Sequence, residues 1–444
     1  MAAPASQLSR SLGLWDLVFI GIILVQPTAP MSVYGVIHNK AAGHTTTTIL
    51  IAMVAMLFTA VSYGRMARAY PSAGSAYTYV GHEIHSAAGY ITGWSMLMDY
   101  VLNPVICVVW CSQAARNILP IPYVLWAAFF ALLFTFVNLR RIHATARINE
   151  ILTAIMSVLI IAMLVCTARF IFGLGSLESG FFTHPVYDPR TFSWDLVKTG
   201  TSTAVLTYIG FDGISTLSEE VKNPRRNILV GTVLVCLIIG ILSAIEVYAA
   251  DLVWPGTKKF VGAQEDTAYV VVAGLVGGKW LLHAINITLI VANFGSGAGA
   301  QLSGARLLYG MGRDNAIPRR VFGVLDERKK IPARNVMLIG AVAFVAALFI
   351  SYDLGANLLN FGALIGFMGV NAASFLRYFV RAGEKRWSHA VVPLLGFAIC
   401  AWLWWHLDVL SKMWGGSWLV LGIVYGAWKT NGFRKSIRFE APAE

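Results

Sequence analysis

Two aspartates stand where a hydrocarbon environment suits them least. Asp99 closes in on the end of GWSMLMDY (93–100), and Asp212 sits between Gly210 and Gly213 in TYIGFDGIST (207–216). Asp99 lies about twelve residues into a long apolar stretch, so at about 1.5 Å per helical residue it is roughly 18 Å deep. Ionisable groups at that depth are costly and mark function by default. A carboxylate there can pair with an ammonium group or take up a proton, or it can be held for packing by tyrosine hydroxyls and amides. Its neighbour Tyr100 is a candidate to line the same site. Asp212 can face a polar solute, cap the half-helix that follows it, or do both. Tyr208 and Phe211 flank it and can cover an apolar stem or make cation–π contact with an amine; the bland alternative is core or lipid packing.

These carboxylates need elements that hold them, and two elements are interrupted. LVQPTAPMSVYG (24–35) places Pro27 and Pro30 inside the first apolar stretch. Each proline costs about 3 kcal/mol or more in a helix interior. Gln26, Thr28, Ala29 and Ser32 surround them as candidate polar contacts. The second interruption is the Gly210–Asp212–Gly213 stretch, about as deep into the sixth span. Non-helical backbone at membrane depth is tolerated only inside protein or beside water, where its free amides and carbonyls become ligands. Paired breaks five spans apart point to an inverted repeat and a transport site at mid-membrane, against two ordinary kinks.

The whole chain fits that frame. Of 444 residues, 57% are hydrophobic and 13% charged, and the mean hydropathy is +0.66; soluble domains average about 25% charged. Twelve spans are predicted near residues 13–37, 45–66, 87–115, 121–139, 150–174, 194–218, 228–250, 280–309, 334–352, 355–377, 390–408 and 415–429, each about long enough to cross a bilayer. The fold class is an all-α polytopic membrane protein. The expected organisation is a tail at 1–12, a first five-helix repeat at 13–174, a second, inverted one at 194–377, two added spans at 390–429 and a tail at 430–444.

The net charge of +12 is a topology signal, not a nucleic-acid footprint. Most of the 34 Lys and Arg fall in loops on one side of this span pattern, which places both termini in the cytoplasm. No cleavable signal is apparent in MAAPASQLSRSLGLWDL. The five cysteines fall in or beside spans and read as small buried apolar residues. No metal spacing, nucleophile elbow, phosphate loop or dinucleotide fingerprint is present. The expected partners are therefore a small solute, a coupling ion and the lipid bilayer, with no cofactor, no metal and no nucleic acid. An ion channel fits paired breaks in twelve unlike spans poorly, and a membrane enzyme lacks a converging catalytic set.

Three loop signatures carry a resemblance. They are YPSAGSAYTYVG (70–81) with GWSMLMDY (93–100), GFDGISTLSEEVKNPRRNI (210–228), and ARLLYGMGRDNAIPRRVFG (305–323) with PARNV (332–336). Together they resemble the amino acid–polyamine–organocation transporter superfamily, closest to its putrescine importer branch. The resemblance implies a LeuT-type five-plus-five fold with helices 1 and 6 broken, import of an amine or amino acid, and coupling commonly to protons. It also implies a substrate held between 26–31 and 208–213, with the third, eighth and tenth spans lining the cavity. On that basis Asn293 and Asn360 are cavity candidates, and Asp99 is the candidate proton carrier. The QPTAP break resembles the proline-containing form of that branch, but Ser32 aligns where an acidic side chain is expected. In the alternative of a neutral amino acid permease or exchanger, Gln26, Thr28 and Ser32 would hold a carboxylate by uncharged donors. No sodium constellation is visible, although Ser296 and Ser303 offer hydroxyls in the small-residue strip 293–306. Glu246 reads as a carboxylate reaching the outer interface. Glu219 and Glu220 read as cytoplasmic gate partners of Arg65, Arg68 or Arg225, or as a solvated charge cluster.

Overall fold

The computed structural model describes residues 12–70, 75–140, 146–174, 177, 179–217, 221–326, 331–382 and 386–434, with the side chains of 146–152, 216 and 217 left aside. Among these residues the chain is helical, and its one β-type pairing is an isolated bridge between Leu12 and Val221. α1 (Leu14–Val25) and α2 (Ala29–Ala41) form one interrupted span, bent by 43°. α3 (Thr45–Ala69), the short α4 (Ser75–Glu83), α5 (Ser86–Arg116), α6 (Tyr123–Arg140) and α7 (Ala146–Phe172) follow. α8 (Trp194–Ala204) runs on into 3-10 turns at Val205–Tyr208 and Phe211–Leu217. Then come α9 (Pro224–Val253), α10 (Ala263–Asp266), α11 (Ala268–Arg313), α12 (Arg319–Phe322), α13 (Ala333–Ala347), α14 (Tyr352–Phe375), α15 (Trp387–Trp405) and α16 (Val409–Lys429).

Each of the twelve expected spans has its counterpart. Eight helices are long and apolar enough to cross a membrane alone, and the bent α1–α2 pair makes a ninth. The α8 segment, α13 and α16 supply the remaining three. α8 is too short and rich in threonine, and α13 too short, to stand out by length and apolarity. The close spacing of the ninth and tenth spans resolves into α13 ending at Ala347 and α14 starting at Tyr352, where Ser351 caps it by accepting from the Leu354 amide at 3.2 Å. α11 begins earlier than the 280 expected, because a preceding helical segment joins it across a kink at Gly278, whose φ is +69°. α4, α10 and α12 lie in stretches read as loops.

The layering follows from which faces are apolar all round. α5 and α14 are inner helices: 83% and 72% of their apolar stretches are buried, against 28% for α6, α7 and α15. The outer helices expose Leu132, Val158, Ile161, Leu394 and Trp405, as lipid-facing surfaces should. α5 packs along both α11 and α14, and α3 packs along α9. Close approach depends on small residues. At Gly362 of α14, any Cβ would collide with the Ser95 carbonyl of α5.

Candidate functional site

The first break is built on an uncommon backbone. Gln26 ends α1 at φ 74° and ψ 129°, a region that costs a non-glycine residue about 1–3 kcal/mol unless the surroundings hold it there. They do. The Gln26 Nε2 donates to the Ala292 carbonyl of α11 at 2.5 Å, and the side chain is buried. Pro27 is also buried, and a turn of Ala29 N to Gln26 O at 3.2 Å starts α2. One turn on, Ser32 Oγ accepts from Asn293 Nδ2 at 2.9 Å, while the same amide donates to Leu289 O. Two neutral amides thus tie the first span to α11. The Thr28 hydroxyl is buried and has no partner among the described residues.

The second break lies against the first. Gly210 has φ +117°, and a Cβ there would stand 3.0 Å from the Leu24 carbonyl oxygen of α1. Only glycine meets both demands. Around this contact Asp212 is fixed on three sides: its Oδ2 accepts from the Tyr100 hydroxyl at 3.0 Å, its Oδ1 from the Gly210 amide at 3.3 Å, and its carbonyl from Ser215 Oγ at 2.6 Å. The half-helix after Asp212, which it could cap or beside which it could face a solute, is a 3-10 turn through Leu217.

Asp99 faces the same space. It is 2% exposed, makes no hydrogen bond among the described residues, and lies near enough to Asp212 to interact electrostatically. Neither aspartate is ion-paired to a described Lys, Arg or His. Aromatic rings pack beside the two aspartates. Tyr63 of α3 stands edge-on to Phe211 at 5.6 Å and to Phe367 of α14 at 5.8 Å, and its buried hydroxyl has no partner among the described residues. Sequence reading missed Tyr63 and Phe367, since one aromatic among many in an apolar span carries no mark of its facing.

Other expected residues go elsewhere. Tyr208 donates to the Ile49 carbonyl of α3 at 2.8 Å, on the wall behind the second break. Asn360 donates to the Ser202 and Thr203 carbonyls at 2.9 and 3.3 Å, tying α14 to the end of α8, with its Oδ1 unpartnered. Glu246, expected at the interface, is fully buried, and both its carboxyl oxygens lack partners among the described residues. Of the expected gate, Glu219 and Glu220 lie outside the described residues. Arg65 donates instead to the Ser388 carbonyl at 3.1 Å.

Two ion-pair clusters that the sequence reading did not single out lie at the two ends of α14. At one end Lys40, at the end of α2, reaches Asp353 of α14 at 2.6 Å and Thr203 Oγ1 at 3.3 Å; Asp353 also accepts from Asn357. At the other end Glu83 of α4 receives Arg377 and Arg381, beyond α14, at 2.5 and 2.7 Å, and the Tyr70 hydroxyl at 2.6 Å. Burial pushes the Glu83 carboxyl up, but these hydrogen bonds and guanidinium charges outweigh it and hold it below the ordinary range. Tyr70 is pushed up to about 12, by burial first and then by its bond to Glu83.

This geometry — two touching breaks, a buried carboxylate pair and polar clusters at both ends — is that of a solute carrier. The amino acid permease family model matches residues 16–423. The chain belongs to the amino acid permease family. The low-affinity putrescine importer PlaP of Escherichia coli is 32% identical to it over 97% of this chain and 96% of that protein. The branched-chain amino acid permease BcaP of Lactococcus lactis subsp. cremoris is 27% identical, covering 92% of each. The methylthioribose transporter of Bacillus subtilis is 26% identical, covering 95% and 94%. This permease is therefore a polytopic membrane transporter of the LeuT-type fold and not an enzyme. Solutes as unlike as a diamine and a branched-chain amino acid occur among the relatives' names, so family membership alone does not choose the cargo.

Proposed function

We propose that this permease imports a small organic amine across the cell membrane by alternating access, with both termini cytoplasmic and a proton as the coupling ion. The observation that carries this reading is the pair of buried carboxylates, Asp99 and Asp212, with no ion-paired Lys, Arg or His among the described residues. A buried carboxylate left uncompensated is costly, and an alkylammonium between them supplies the missing charge. Phe211, Phe367 and Tyr63 offer ring faces for the cation and its methylene stem. The relative named as a putrescine importer supports a diamine in particular.

In this reading Tyr100 holds Asp212 in place, and Asp99, unbound in the described structure, takes the ammonium or the proton. Gln26, Pro27, Thr28 and Ala29 shape the first break, while Ser32 and Asn293 fasten it to α11. The two five-helix repeats are 13–174 and 194–377. Lys40 with Asp353 closes the extracellular mouth, and Glu83 with Arg377 and Arg381 closes the cytoplasmic one. Arg65 braces that inner side. A proton gradient then drives uptake because the cargo and proton together favour the state that opens inward.

Counterflow and gradient-driven uptake of radiolabelled putrescine in proteoliposomes test the reading. Uptake should rise when the outside is acidified and collapse when a protonophore is added. Uptake indifferent to both pH and potential removes proton symport, and competition by leucine but not by putrescine removes the amine. The second outcome would favour a neutral amino acid permease, for which the unpartnered Thr28 hydroxyl is the specific supporting feature.

A further inference from the structure

Away from Asp99 and Asp212 the chain buries a second set of ionisable groups, where α2 meets the end of α9. His38, in the last turn of α2, has both ring nitrogens engaged. Its Nδ1 lies 2.9 Å from Asp251 Oδ1 and its Nε2 3.0 Å from the Lys258 carbonyl. Both side chains are 1% exposed. A carbonyl oxygen only accepts, so Nε2 carries a proton; the same carbonyl also accepts from the Trp254 indole at 3.1 Å. The contact between Nδ1 and Oδ1 needs a proton as well. The Tyr34 and Thr45 hydroxyls donate to that same Oδ1 at 2.9 and 3.2 Å. With two donors already pointing at it, Oδ1 is an acceptor, and the second proton belongs on Nδ1.

We propose that His38 and Asp251 form a proton-binding site of their own, separate from Asp99 and Asp212, which latches α2 to α9 when loaded. Loaded, the pair is an imidazolium against a carboxylate and is neutral overall. Unloaded, it would bury a net negative charge and turn a ring lone pair toward either Oδ1 or the Lys258 carbonyl. The contact then repels, and α2, one half of the broken first span, is held there by the Tyr34 hydroxyl on Asp251 and by Asn39 paired with Phe260, without the His38 contacts. The end of α2 suits a cation, since the carbonyl end of a helix favours positive charge.

The other titratable groups on the surrounding elements are placed as follows. Lys40 on α2 is paired with Asp353. His44, before α3, bonds to the Ala41 carbonyl and the Asp188 amide, and Asp188 is paired with Arg190. His184 reaches the Asp251 backbone carbonyl at 2.9 Å, not its carboxylate. The Lys258 ammonium lies over the Trp254 ring. Tyr269 of α11 stacks edge-on to Tyr34, and its hydroxyl contacts the Glu246 carbonyl. Glu246 is buried farther along α9, and Glu265 and Asp266 lie on α10. Among these described groups none besides His38 is a cation paired to the Asp251 carboxylate.

The link from this site to uptake rests on the symport reading above, whereas proton binding itself does not. Selective 15N labelling of histidine in the intact purified protein, read at neutral pH, tests the binding. The His38 signals are those lost in His38→Gln or, if that variant fails to fold, those surviving when the other histidines are replaced. Both ring nitrogens should be protonated, and Asp251→Asn should remove the Nδ1 proton. A singly protonated ring in the unsubstituted protein, or a doubly protonated one in Asp251→Asn, overturns the site. In proteoliposomes Asp251→Asn should keep counterflow exchange yet lose most of the response to external pH; an unchanged pH response refutes the latch. If unsubstituted uptake ignores pH, symport fails while the nitrogen signals still decide the site.

Discussion

Asp99 and Asp212 are buried close together but not in the same situation. Asp212 is fixed by Tyr100, by the Gly210 amide and by its own turn. Asp99 has none of these, so a substrate or proton meets no competing donor there. Removing one partner of a buried charge pair costs about 2–5 kcal/mol, and each 1.4 kcal/mol is about tenfold in affinity. Asp99→Asn should therefore lower amine affinity by roughly thirtyfold or more, read by a thermal-shift titration, while the ligand-free melting temperature stays close to that of the parent. Full affinity in the variant would take Asp99 out of the site. The two aspartates were legible in the sequence because charge in an apolar run is conspicuous. Tyr63 and Phe367 were not, because helix rotation, which decides whether a ring faces the aspartates or the lipid, is set by packing among distant helices.

At the scale of elements, the two broken helices depend on one another. Gly210 lies against the Leu24 carbonyl with a backbone that side chains rarely adopt, so Gly210→Ala combines strain with a clash. The expected cost is about 1–3 kcal/mol, seen as a lower melting temperature, with uptake reduced because both breaks shift. An alanine variant as stable and as active as the parent would show that the breaks are not in contact. Both interruptions were readable from prolines and glycines, which act locally. Their mutual contact was not, since it joins residues 24 and 210. The Glu83 cluster gives a pH test at the same scale. A carboxylate held below its ordinary value of 4.5 stabilises the fold at every pH above that value, and the gain is lost as pH falls through the lowered one. Glu83→Gln should thus melt lower than the parent by a constant margin near neutral pH. The margin should shrink only below about pH 4.5; a margin that instead shrinks between pH 7 and 5 contradicts the pairing. That cluster escaped sequence reading because Glu83 and Arg377 lie in a loop helix and at a span end, where charges are ordinary.

For the whole molecule, the proposed carrier cycle asks how one closed mouth gives way to the other. In this structure Lys40, Asp353, Asn357 and Thr203 form a continuous polar seam that joins α2, α14 and α8. The Lys40–Asp353 pair is partly exposed, at 18% and 42%, so it contributes about 0–1 kcal/mol. A lock that weak suits a carrier, because a ligand moves a two-state equilibrium only by its differential affinity, and a strong lock would hold the mouth shut against it. Lys40→Ala should therefore shift the population toward the opened mouth by no more than about fivefold. Thr203 lies against Lys40 and is buried, which makes it a reporter. With the native cysteines replaced and Thr203→Cys introduced, a membrane-impermeant maleimide should label the thiol a few-fold faster once Lys40 is also alanine. Saturating putrescine should slow that labelling in both backgrounds, since bound cargo favours closure over itself. Labelling that is equally slow with and without Lys40 would mean that the seam is no gate, and that the mouth is held by the packing of α2 against α8 alone.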